Sequence, residues 1–154
     1  MNTASRIFWW ATYIAGALIV QRAIPGVDAL APGFLLSLQE KKNRQTFWLF
    51  CIFVLIQEGS GSMLFGSAVL WYGGQIVLFR LSQSFFVAES IVFIFMLSAA
   101  LGVYHFLLIW LMCAVQNLPL EFSLLARESL TQAAIIPLIW GLAYFIRPTA
   151  AFSR

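Results

Sequence analysis

The chain has 154 residues, of which 62% are hydrophobic and 10% charged, and its mean hydropathy is +0.89. Soluble domains carry about 25% charged residues, so this composition excludes an ordinary water-soluble fold. The bases are dispersed near the ends of apolar runs and the formal charge is only +3, which excludes a nucleic-acid partner and leaves topology-setting charges as their role.

Six apolar segments can be marked, at residues 7–20, 29–38, 47–56, 63–79, 85–115 and 133–146. The expected fold is all-α: a polytopic integral membrane protein, an irregular bundle of about six transmembrane helices with a short, broken second helix. In lipid each spanning segment must satisfy its own backbone hydrogen bonds, which favours helices. The longest polar stretches, around 39–46 and 116–132, are loop-sized, so residues 1–154 are read as one transmembrane domain.

Segment one follows Arg6 and superficially resembles a signal peptide. Gln21-Arg22 makes a poor cleavage site, so it is read as an uncleaved helix. Segment two, flanked by Pro25, Asp28 and Pro32, is far shorter than the roughly 20 residues that cross a bilayer core. It should be a broken or partly re-entrant helix buried by its neighbours, with Asp28 capping its start. Segment three leads through Glu58, Gly59, Ser60, Gly61 and Ser62 into segment four, which carries Gly66, Gly73 and Gly74. Small residues at helical spacing allow close backbone approach, so Ser62, Gly73, Gly74 and, on segment five, Gly102 are candidates for helix packing. Segment five, at about 1.5 Å per residue, would extend about 46 Å unless it tilts, projects or breaks, with Gly102 as its weak point.

With a cytoplasmic N-terminus and six crossings, the inside receives Arg6, Lys41, Lys42, Arg44, Arg80, Arg147 and Arg154 and the outside only Arg22 and Arg127. Both termini are then cytoplasmic, in agreement with the positive-inside rule. Arg80 and Glu89 flank the short link between segments four and five and are expected to pair. His105 is the single histidine and has no acid at helical spacing, so no metal site is expected and a hydrogen-bonded structural role is favoured. Cys51 and Cys113 read as small buried hydrophobes. No nucleophile motif, phosphate loop or paired carboxylates in a spanning helix occurs, so no catalytic residue and no cofactor are assigned.

The stretch FCIFVLIQEGSGSMLFGSAVLWY combines an apolar helix ending in an acid, a Gly/Ser turn and a glycine eight residues after the acid. It resembles the central signature of the rod-shape-determining membrane protein MreD family. Glu58 stands where that family usually has Asp, Ser60 and Gly61 stand for its Ser-Gly pair with a one-residue shift, and Gly66 matches its closing glycine. Leu64 occupies the place of the usual proline. The ending LLARESLTQAAIIPLIWGLAYF, with Pro137 central, also resembles the family's last helix.

The resemblance implies a non-enzymatic scaffold of the bacterial side-wall peptidoglycan elongation machinery, in the inner membrane. Its implied partners are an MreC-like membrane protein and, indirectly, the MreB filament. The six-helix fold implied is similar to the substrate-binding subunits of energy-coupling-factor transporters. That likeness supplies the main alternative, a vitamin-type binding subunit with a small-molecule ligand; an anchoring subunit of another membrane complex is a further one. Under the scaffold reading Glu58, Gly59, Ser60, Gly61 and Gly66 form a hinge that also contacts the partner, Glu58 accepting hydrogen bonds from the start of the following helix.

Overall fold

The computed structural model describes residues 3–61, 66–84 and 90–146, which form six α-helices and, among those residues, no strand. They are α1 (Thr3–Ala23), α2 (Ala31–Gln39), α3 (Asn43–Ser60), α4 (Ser67–Gln83), α5 (Ile91–Val115) and α6 (Phe122–Ile146). Within the described residues one helix, α5, is long and apolar enough to cross a membrane by length and composition.

Local chemistry sets the ends. Pro32 sits in the first turn of α2, where its missing N–H would have lacked a helical partner anyway. Gly61 closes α3 in the left-handed region at φ 64°, a conformation that costs glycine little. Ser90 starts α5 by accepting the Phe93 N–H on its hydroxyl at 3.1 Å.

The short helix α2 is the centre of the bundle. It packs against α3, α4 and α6, and residues 31–37 are all buried. Phe34 meets Tyr72 edge-on at 5.3 Å and Phe53 at 6.3 Å, so aromatic rings from α3 and α4 close around it. Ser37 and Thr46 join their hydroxyls at 2.9 Å, tying its far end to α3. Trp140 donates its indole N–H to Gln39 from α6 at 2.9 Å.

Residues 24–30 bring the chain back into the bundle before α2 begins. The Tyr13 hydroxyl donates to the Ala29 carbonyl at 2.8 Å, and Tyr13 lies ten residues before the end of α1, about 15 Å along its axis. A side chain at Gly33 would collide with the Tyr13 ring, so glycine there lets α1 close onto α2. The linker therefore descends beside the last turns of α1, and α2 starts at mid-depth.

Two expectations are corrected. Segment five was expected to be weak at Gly102, yet α5 runs unbroken through it. Gly102 serves close approach instead: a Cβ there would stand 2.8 Å from the Ala133 Cβ and 3.2 Å from the Ser129 carbonyl oxygen. Segment six was expected to begin at residue 133 after a polar loop, but α6 begins at Phe122. Leu125, Ser129, Gln132, Ile136, Trp140 and Ala143 are all buried. Their spacing of three and four residues makes one continuous stripe, and the polar members Ser129 and Gln132 disguise it in a hydropathy profile.

Candidate functional site

Several polar residues of the interior converge on Asp28, in the 24–30 linker. One carboxylate oxygen, Oδ2, accepts from the indole N–H of Trp71 at 2.8 Å and the hydroxyl of Tyr72 at 2.7 Å. The other, Oδ1, accepts from the Leu30 N–H at 2.9 Å and the Gln21 amide at 3.0 Å. Four donors thus fill the roughly four lone-pair positions of a carboxylate. Asp28 is 2% exposed, and the salt bridge found among the described residues, Lys42 to Glu40, lies elsewhere. Neutral donors hold the acid in the interior.

Gln132, fully buried on α6, clamps the same residue from the other side. Its side-chain oxygen accepts the Asp28 N–H at 2.7 Å and its nitrogen donates to the Asp28 carbonyl at 3.0 Å. The Tyr13 bond to Ala29 and the Phe34 N–H on the Leu30 carbonyl at 3.0 Å pair further carbonyls of this non-helical backbone. Gln57 of α3 extends the network, donating to the Tyr72 hydroxyl at 3.4 Å. Trp71 lies parallel to the Tyr104 ring at 5.8 Å and meets His105 edge-on at 5.2 Å. His105 in turn bonds Ser129 through Nδ1 at 3.0 Å. Every helix contributes a side chain or backbone group to this network or to the rings and hydroxyls around it.

Gln75, one turn beyond Trp71 and Tyr72 on α4, is fully buried, and neither its amide nitrogen nor its oxygen has a hydrogen-bond partner among the described residues.

At the α3–α4 corner, Glu58 accepts the Gly66 N–H on both oxygens, at 3.0 and 3.1 Å, and the Ala68 N–H at 3.2 Å. A carboxylate from the end of one helix thereby satisfies free amides at the start of the next. Gly66 sits at φ 80° and Gly61 at φ 64°, so the corner needs glycine at both positions. Ser60 donates to the Gln57 carbonyl at 3.2 Å, and Gly59 faces open space. Ser62 lies outside the described residues.

Among the expected packing glycines, Gly74 and Gly102 stand at close helix contacts, against Tyr104 and Ala133 respectively, and Gly73 does not. A Cβ at Gly73 would meet nothing within 4 Å, so this glycine makes no close contact inside the bundle. The buried face of α4 runs through Trp71, Tyr72 and Gln75, and Gly73 is rotated off it. Arg80 is exposed on α4 and shares a groove with Lys41; its expected partner Glu89 lies outside the described residues. Cys51 and Cys113 are free thiols. No group of three or more His, Cys, Asp or Glu side chains able to hold a metal occurs among the described residues.

Sequence reading singled out Asp28 and assigned it only a capping role. It missed Gln21, Trp71, Tyr72 and Gln132. A usable signal was present: four glutamines, Gln21, Gln57, Gln75 and Gln132, stand within largely apolar helices on α1, α3, α4 and α6, where an unpaired amide is costly. Comparison with protein-family models, with curated proteins and with solved structures finds no match for this chain.

Proposed function

We propose that the chain is a polytopic inner-membrane protein acting as a non-enzymatic scaffold: a subunit of the side-wall peptidoglycan elongation machinery with an MreC-like membrane partner. One observation carries the membrane part. Large apolar side chains face outward while one carboxylate and several amides are inside: Phe8 is 73% exposed, Leu55 71%, Leu130 72% and Phe145 86%, whereas Asp28, Gln57, Gln75, Gln132 and His105 are buried. Each of α1, α3, α4, α5 and α6 presents large apolar side chains outward. Water penalises contiguous patches of this extent, and lipid does not.

The scaffold part draws support from how the interior polar groups are committed. Asp28 and Gln132 fasten the linker, and Glu58 fastens the α3–α4 corner. Side chains that hold helices in register give a rigid bundle with fixed outer faces, as a docking platform requires. The cell-wall assignment rests on the resemblance of the Glu58 corner. The vitamin-binding alternative has the unpartnered amide of Gln75 in its favour, and a thermal-shift screen against vitamins separates the two.

Two experiments test the proposal. Alkaline carbonate should leave the protein in the membrane pellet; release into the supernatant would refute the membrane reading. Mild-detergent extraction should then co-purify an MreC-like protein. Recovery of the chain with no membrane partner would refute the scaffold.

A further inference from the structure

A groove of about 670 Å³ runs between α1 and the first half of α3. Its mouth carries Arg6, Lys42 and Arg44, and its inner wall is apolar, with Trp10, Ile14, Leu49 and Ile52. From Arg6 to Ile14, and equally from Arg44 to Ile52, is eight helical residues, so the apolar part reaches about 12 Å from the charges. Ala11 leaves the α1 side open, and Trp48, 59% exposed, stands at the edge.

The charges are uncompensated in the main. Glu40 lies 3.6 Å from Lys42 and also accepts from Gln45 at 3.0 Å, so it offsets one cation. No carboxylate pairs with Arg6 or Arg44 among the described residues. A neighbouring groove at the same end adds Lys41 and Arg80. A surface that joins cations to a lateral apolar channel matches a molecule with an anionic head and a hydrocarbon tail. A protein helix would have to bring acids to the mouth alone, and a free phosphate would leave the channel unfilled.

We propose that this groove binds an anionic diacyl phospholipid. Arg6, Lys42 and Arg44 hold the headgroup phosphate, one acyl chain lies along the α1–α3 channel, and Trp48 sits at the level of the ester groups, where amphipathic rings concentrate. The inference rests on the membrane reading and goes beyond it by naming a lipid class and a seat.

The test is native mass spectrometry of the protein released from nanodiscs of equal phosphatidylglycerol and phosphatidylcholine. Preferential retention of phosphatidylglycerol is expected. Each cation near such a surface contributes about fivefold, so the double variant Arg6→Gln/Arg44→Gln should lower that preference about 25-fold. Arg22→Gln/Arg127→Gln should leave it unchanged. Ala11→Phe, which narrows the channel and keeps the charges, should also release the lipid, and it serves as the readout if the charge variant does not fold. Millimolar glycerol phosphate should not displace the bound lipid. Equal retention of both lipids, retention unaffected by both site variants, or displacement by glycerol phosphate would overturn the proposal. Extraction of the chain by carbonate would instead overturn the membrane reading itself.

Discussion

At the scale of single residues, Asp28 shows how an acid can be a structural part in an apolar protein. Its carboxylate is the common acceptor for Trp71, Tyr72, Gln21 and the Leu30 N–H. Asp28→Asn keeps one oxygen and turns an N–H₂ group toward donors, so it should cost on the order of 3 kcal/mol, the penalty for leaving buried donors unpaired. Tyr72→Phe removes one donor and leaves the acceptor three others, so about 1 to 2 kcal/mol is expected. Thermal unfolding in detergent measures both, and the order of the two losses is the decisive result. Gln75 should behave oppositely. Its amide is fully buried without a partner, so Gln75→Met should raise the melting temperature, by the equivalent of about 1 kcal/mol or more. The acid was visible in the sequence, but its partners were not. Trp71 and Tyr72 are 43 and 44 residues away, and hydrophobic patterning says which face of a helix is buried without saying which helices meet.

At the scale of elements, the six helices follow from the six apolar runs, while their ends do not. The first half of α6 reads as loop because Arg127, Glu128 and Thr131 dilute its hydropathy, although the buried stripe from Leu125 onward is continuous. In the sequence Gly102 reads both as the weak point of a long segment, because glycine is a poor helix former, and as a packing residue. In the fold its missing Cβ is what lets α5 approach α6. Gly102→Ala should therefore force the helices apart and cost about 1 to 3 kcal/mol. Gly73→Ala meets open space and should be neutral or stabilise by up to about 1 kcal/mol. A melting series on the two variants distinguishes a packed glycine from an unpacked one. The α3–α4 corner gives a third measurement. Glu58→Gln keeps an acceptor for the Gly66 N–H and loses the negative charge at the start of α4, so it should cost about 1 kcal/mol. If both melting and partner recovery were unchanged, Glu58 would have neither the locking nor the docking role.

At the scale of the whole molecule, five cations gather at one end of the bundle. Arg6, Lys42 and Arg44 line one groove, and Lys41 and Arg80 line its neighbour. They bring together the start of α1, the α2–α3 turn and the end of α4. At the other end Glu128 lies across Gly26, beside the exit from α1, and Glu58 sits at the α3–α4 corner. Successive helices therefore alternate in direction, and α2 reverses the chain although it spans only about half the depth. Under the proposed membrane reading, that arrangement would let so short a segment serve as a crossing: the linker covers the first half of the distance, held by Asp28 and Gln132. If α2 did not reverse the chain, α1 alone would separate Arg6 from Lys42, and the two would lie on opposite sides. In a Cys51→Ala/Cys113→Ala background, a cysteine introduced by Arg127→Cys should react with a membrane-impermeant maleimide added outside spheroplasts. Cysteines introduced singly by Arg6→Cys and by Lys42→Cys should react only after the membrane is opened. Labelling of only one of the Arg6→Cys and Lys42→Cys positions from the outside would show that the chain crosses an odd number of times between its N-terminus and the α2–α3 turn, and the half-depth crossing would have to be abandoned.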